Sequence, residues 1–188
     1  MDAARTDAAM TFVGHSLVGA TLAQAAIPAG ASWKQWAFVV NLYVLLAFFP
    51  DLPFPGWGHS RYYLSHSLYI NLLLIIPTAA ICCFYRSRGA FASYPLVAGA
   101  VVAWLSHFPL DAMYNHGQGV AIFWPFSEGV LNLPLPWFVT LDMHQPLTAA
   151  HNARVFLIEA VFYLPLLAGA LWGRHIWRRR AGNRPGAV

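Results

Sequence analysis

Apolar residues run along this chain in stretches too long for the core of a soluble domain. Three of them reach the roughly 17 to 25 residues that cross a bilayer as a helix, at about 66–86, about 91–112 and about 153–173. Two further runs are shorter or more polar. Residues 34–50 (KQWAFVVNLYVLLAFFP) are apolar but brief, and residues 9–28 are rich in Ala and Gly and carry His15 and Gln24. The pattern predicts an all-α integral membrane helical bundle of about five transmembrane helices, a single membrane domain over residues 1–188. The first span reads equally as a re-entrant helix. The stretches PDLPFPGWG and LNLPLPW read as loops or interfacial turns. Trp57, Trp124 and Trp137 suit the headgroup level.

Orientation follows from Lys and Arg, which collect in short cytoplasmic loops. Arg86 and Arg88 join the third and fourth spans, and the cluster from Arg174 to Arg184 follows the fifth. From Phe91 through Ala153 there is no Lys or Arg, while Asp111, Glu128 and Asp142 lie there. That connection is expected outside, with Lys34 inside, Asp51 and the 51–65 loop outside, and an N-out, C-in topology. The N-terminus does not read as a signal peptide, because Asp2 and Asp7 offset Arg5 and no apolar region follows directly.

Composition agrees with the segment pattern: 59% of residues are hydrophobic and 10% charged, too few to clothe a soluble domain of 188 residues. The net charge of +4 comes from basic residues flanking apolar runs, which fits a membrane surface and no nucleic acid. The basic tail, about 174–188, reads as an inner-face anchor. Cys82 and Cys83 are adjacent within an apolar run and read as packing residues.

Ionisable groups inside such a chain each cost roughly 2.5 to 3.5 kcal/mol on insertion scales. The topology drawn from Lys and Arg alone brings Asp51, His59, His66, His107 and Asp111 to one face of the membrane, with His15 one or two turns in. His107 and Asp111, in WLSHFPLDAMY, are four apart and so share a helix face, although Pro109 between them kinks the turn. Alone, this pair reads as a polar clamp between helices. With Asp51, His66 and His15 nearby it becomes a ligand set suited to zinc, manganese or iron. Arg61, in GHSRYYLSHSL, is a candidate for binding an anionic substrate group or a lipid phosphate. Ser67 opens the third span with His66. His116, His144 with Asp142, and His151 read as solvated or interfacial. Ser16, Ser60, Ser65, Ser67 and Ser106 each neighbour a His, but sequence neighbours do not face one another on a helix, and no G-x-S-x-G elbow is present.

The succession GHSLVGA, FFPDLPF, LSHSL and WLSHFPLDAMYNHGQGVAIFWPFS resembles the membrane-bound metal-dependent hydrolases of the YdjM type, described as LexA-regulated inner-membrane proteins, over about residues 11–128. The matching positions are His15, Asp51, His66, Ser67, His107 and Asp111. Two departures stand out. Pro53 replaces the second acid of the family's P-D-x-D, and the spacing between His59 and His66 is altered, so His59 and Arg61 remain candidates on their own chemistry only. A more distant similarity links the His/Asp pattern to zinc-dependent phospholipase C and single-strand nucleases.

The resulting expectation is a multi-pass inner-membrane hydrolase whose metal is held by His15, Asp51, His66, His107 and Asp111, with His59 as a further ligand. Zinc is the first choice of metal. Asp111 or Ser67 would act as base or orienting group, with Arg61 on the substrate. The site would face the extracytoplasmic side, and membrane lipids and a lipid-like phosphoester would be its partners. The rival is a non-catalytic protein binding or transporting metal ions or protons; a third reading has the polar groups only gluing helices together.

Overall fold

The computed structural model describes residues 8–9, 12–86, 93–114, 119–133, 137–142 and 144–182. Its architecture is helical. Helix α1 spans Phe12–Ala26, α2 Trp33–Ala47, the single turn α3 Tyr62–Ser65, α4 Leu68–Arg86, α5 Tyr94–Leu105, the short α6 His107–Asp111, and α7 Ala150–Gly182. Two 3-10 turns, Phe49–Asp51 and Gly58–Arg61, lie between α2 and α3. One antiparallel strand pair, β1 (Ala8–Ala9) with β2 (Leu141–Asp142), ties the N-terminal segment to the long connection before α7.

Local sequence explains most of the boundaries. A capping box starts α2: the Ser32 hydroxyl accepts from the Gln35 N–H at 3.3 Å, and the Gln35 side chain accepts from the Ser32 N–H at 2.9 Å. Pro50 then stops the α-helix and the chain tightens into the 3-10 turn that ends at Asp51. Ser93 caps α5, with Pro95 in its first turn. The run expected as one helix over 91–112 is instead broken at Ser106. Pro109 has no N–H for the Leu105 carbonyl, so α5 ends at Leu105 and the chain restarts as α6.

The expected third span begins at Leu68 rather than 66, which leaves His66 and Ser67 in the turn before it. Helix α7 outruns the expected 153–173 at both ends, so the basic stretch expected to begin as a tail at 174 continues the helix to Gly182. Among the described residues, Ala150–Arg180 is the one helix long and apolar enough to cross a membrane, and Leu68–Phe84 is a shorter apolar helix.

Helices α1, α2 and α5 share a core of Ala23, Ile27, Val39, Tyr43, Leu96 and Ala103. The backbones of α1 and α2 touch at Gly19, where a Cβ would meet the Tyr43 carbonyl oxygen at 2.6 Å; only glycine permits that approach. A second core, Leu110, Tyr114, Phe138 and Tyr163, joins α6 and the connection after it to α7. Outward-facing apolar side chains remain exposed, among them Leu73 and Ile76 on α4 and Leu157, Val161 and Leu164 on α7. Apolar surface in contiguous stretches of this kind is suited to lipid.

Running directions fix two ends of the bundle. The C-terminus of α1 is held by Arg174 of α7, which donates to the carbonyls of Gln24, Ile27 and Pro28, the last at 3.0 Å. At the same end Gln24 accepts from the Trp36 indole N–H at 3.0 Å. The opposite end gathers the start of α1, the end of α2, the turn before α4 and all of α6.

Candidate metal centre

That second end is where the histidines and acids meet. His15 stands in the first turn of α1, Asp51 closes the 3-10 turn after α2, His66 occupies the turn before α4, and His107 and Asp111 sit at the two ends of α6. All five are buried; His15, His66, His107 and Asp111 have no exposed surface at all. Asp111 lies at the middle. Its Oδ1 is 3.1 Å from His15 Nε2, and its Oδ2 is 3.3 Å from His66 Nε2 and 3.1 Å from His107 Nε2. Asp51 Oδ1 is 3.2 Å from His66 Nε2 and 3.9 Å from His107 Nε2. The rings of His15 and His107 stack with 4.4 Å between centroids.

The far nitrogens of two rings fix what the near ones present. His107 Nδ1 lies 3.0 Å from the Ala47 carbonyl, which can only accept, so that nitrogen carries the proton and Nε2 offers a lone pair. His66 Nδ1 is held likewise by the Tyr62 carbonyl at 3.2 Å and the Ser65 hydroxyl at 2.8 Å, while Ser65 passes its own proton to the Gly58 carbonyl at 3.1 Å. The two Nε2 atoms then face each other at 3.3 Å, beside two carboxylates. Acceptors pointed at acceptors in a buried space repel unless a metal ion or added protons lie among them. Orientation of ligand imidazoles by carbonyls is the usual support of a metal site.

The spacing also fits. Around an ion with bonds of about 2.0–2.1 Å, neighbouring ligand atoms are separated by about 2.8–3.0 Å in an octahedron and about 3.3–3.4 Å in a tetrahedron. The three atoms His66 Nε2, His107 Nε2 and Asp111 Oδ2 are 3.1–3.3 Å apart. These buried groups can hold a metal ion, in the sets His66, His107, Asp111 and His15, Asp51, His107. Both sets draw on His107, whose Nδ1 is engaged with Ala47, so they describe overlapping positions around one Nε2.

The other expected residues are placed less centrally. Ser67 does not face His66: its hydroxyl bonds the Trp124 carbonyl and accepts from the Ile70 N–H at 3.3 Å, capping α4. Ser65, two residues earlier, supplies the hydroxyl beside His66. Arg61 is exposed at a surface cavity of about 460 Å³ that Tyr62, Tyr63 and Trp124 also line. Tyr62 is the wall between that cavity and the cluster, for its ring stacks on His66 with 4.0 Å between centroids and its hydroxyl donates to the Gly119 carbonyl at 2.9 Å. The backbone of His59 forms part of the Gly58–Arg61 turn, and its side chain lies outside the described residues, as does all of His116. His144 and His151 are exposed, the latter 3.0 Å from the Thr140 carbonyl. Cys82 and Cys83 are free thiols, half-buried.

Sequence reasoning gave Glu159 no role in the site. It is fully buried on α7, accepts from the Gly14 N–H at 3.1 Å and from the Tyr114 hydroxyl at 2.7 Å, and so fastens the turn that carries His15. Gly14 is required there, since a Cβ would meet the Tyr114 hydroxyl at 2.7 Å. A lone acid inside an apolar span is the signal that identifies it.

Helical architecture, a helix long and apolar enough to cross a membrane, and a buried imidazole–carboxylate cluster able to hold a metal ion are the features of a membrane protein built around a polar centre. The chain belongs to the YdjM inner membrane protein family, whose model matches residues 10–177. The match reaches well beyond the 11–128 stretch expected from the motifs and takes in most of α7. No curated protein and no solved structure matches the chain.

Proposed function

We propose that this protein is a membrane-bound, metal-dependent hydrolase acting on a lipid-like phosphoester at the membrane–water interface. The observation that supports it most is the meeting of the His66 and His107 Nε2 atoms at 3.3 Å, each ring turned by a carbonyl, against Asp111 and Asp51. One ion would be held by His66, His107, Asp111 and Asp51, with zinc favoured by the mixed nitrogen and oxygen donors and manganese or iron next. When bound, it supplies Lewis acidity that lowers the pKa of water and polarises a phosphoryl or acyl oxygen.

The chain's own groups do the rest. The Ala47 and Tyr62 carbonyls hold the two imidazoles in register. His15 steadies the second oxygen of Asp111, and Glu159 keeps the His15 turn in place. Tyr62 excludes water from the cluster on the side of the Arg61 cavity, where the guanidinium offsets an anionic group arriving from the interface. Membrane lipids are the proposed partners. The remaining helices are read as further spans in an N-out, C-in arrangement, with the cluster toward the extracytoplasmic face. Lys34 and Arg174 lie toward the opposite end of α1 from His15, which supports that sidedness.

Metal content decides the matter first, because protonated imidazoles paired with carboxylates would satisfy many of the same distances. Elemental mass spectrometry on detergent-purified protein is expected to find close to one metal per chain, and none in a folded His107→Ala/Asp111→Ala double variant. Absence of metal in both after reconstitution with zinc, manganese and iron would leave the cluster as a helix clamp. The complete burial of the cluster favours a second reading, a non-catalytic metal or proton site. Metal-loaded protein that hydrolyses no phospholipid or phosphoester in vesicles would select it.

A further inference from the structure

A groove of about 390 Å³ runs down the side of the bundle, with α2 and α4 as its walls and α5 as its floor. Helices α2 and α5 run toward the cluster end and α4 runs away from it, so the lining residues can be ordered by depth. Leu46 and Trp104 stand nearest the cluster, and Phe38, Cys82 and Leu96 farthest. Along α5 the lining extends from Leu96 to Trp104, about 12 Å at the helical rise.

Chemistry on the walls selects the occupant. The hydroxyl and indole donors in the groove are already engaged: the Tyr43 hydroxyl donates to the Leu96 carbonyl at 2.6 Å, the Thr78 hydroxyl to the Leu74 carbonyl at 2.7 Å, and the Trp104 indole N–H to Asn71 Oδ1 at 2.8 Å. Beyond the weakly polar Cys82 thiol and two hydroxyl oxygens, a ligand bearing hydrogen-bonding groups would find little to meet, whereas a plain hydrocarbon loses nothing by entering. The near end is linked to the cluster by two chains of contacts. Leu46 adjoins Ala47, whose carbonyl holds His107, and Asn71, the partner of Trp104, donates to the Ser65 and Ser67 carbonyls at 2.7 and 2.8 Å, on either side of His66.

We propose that this groove seats one acyl chain of a membrane phospholipid, its carbonyl end toward the His/Asp cluster and its methyl end toward Cys82. The substrate is then an amphiphile held by its tail before its polar part is processed, which rests on the hydrolase reading of the cluster. The alkyl chain supplies binding energy remote from the reacting bond.

The test uses the full chain in phospholipid vesicles doped with either of two photoactivatable phosphatidylethanolamines, one with its diazirine near the acyl carbonyl and one near the terminal methyl. Adducts are mapped by peptide mass spectrometry, with the exposed α7 residues Leu157, Val161 and Leu164 as the bulk-lipid background. Expected is labelling above that background, with the carbonyl-end probe at Leu46 and Trp104 and the methyl-end probe at Thr78 and Cys82. Ala79→Phe on the α4 wall and Val97→Phe on the α5 floor should each reduce groove labelling to the α7 level while the metal content stays at the wild-type value.

Groove labelling no higher than the α7 background, or a reversed depth order in the wild type, would overturn the proposal, and neither readout depends on a variant folding. So would a dimer cross-linked through the groove with no lipid adduct. Metal absent but ordered labelling present removes the hydrolase reading and keeps the groove; metal present without labelling does the opposite.

Discussion

The two ends of α1 solve the same problem, burying polar groups inside an apolar bundle, in opposite ways. At the C-terminal end every group has a complement: Arg174 brings donors to the carbonyls of Gln24, Ile27 and Pro28, and Gln24 takes the Trp36 indole proton. That end is complete in itself, with a cation where the helix macrodipole is negative. At the N-terminal end His15 joins two imidazoles that present lone pairs to each other and to two carboxylates. Complementarity there needs a metal ion or added protons among the rings. The contrast sets a closed clamp against a cluster that can hold a metal ion.

The sharpest way to break the comparison is Asp111→Asn. Asp111 has both oxygens within 3.1–3.3 Å of three imidazoles, so its loss is expected to strip the ion almost completely. Metal near the wild-type level in purified variant would remove the cluster's claim to be a site. Acidification comes second. Ligand imidazoles must be neutral, so affinity is expected to fall as pH drops and protons compete for the same nitrogens. Arg174, at the other end, stays charged between pH 8 and pH 5. Metal retention measured after dialysis from pH 8 to pH 5 should therefore collapse, while a flat profile would argue against imidazole ligation.

Arg174→Met tests the other end. Removing the donor leaves buried carbonyls unmatched, at a cost of about 1–3 kcal/mol each. The midpoint of thermal unfolding should fall while metal content holds; a variant that lost metal but kept its stability would reverse the assignment of the two ends. The smallest effect is expected from Ser65→Ala. The lost hydroxyl leaves His66 Nδ1 with the Tyr62 carbonyl, so affinity should weaken by about tenfold, the lower end of what orienting partners contribute. Competition with a fluorescent chelator reads that change, and Ser67→Ala should leave it unmoved.

Much of this arrangement is legible in the sequence. Lys and Arg spacing, with the lengths of the apolar runs, already brings His15, Asp51, His66, His107 and Asp111 to one end. The supporting contacts are not legible in the same way. A carbonyl such as that of Ala47 carries no residue signature, and its partner His107 is sixty positions away. Ser67 and Ser65 are equal candidates by spacing, and only the cap of α4 decides between them. Arg174 reads as an anchor to lipid headgroups because nothing local reveals that α1 ends beside it. The number of spans is also less clear than the hydropathy implies, since α1 and α2, at fifteen residues each, are about 22 Å long.

Helix α7 carries a geometric consequence of its own. Its 33 residues extend about 50 Å, against a hydrocarbon thickness of about 30 Å, and a tilt of about 40°, the upper end of what is seen, still leaves about 8 Å unaccommodated. The first turn is pinned, because Asn152 bonds the backbone of Asp142 and Pro146. In the spanning arrangement proposed above, the excess would emerge at the other end as a rigid post carrying Arg178, Arg179 and Arg180, which would set the bundle's height in the bilayer much as a keel sets a hull's draught.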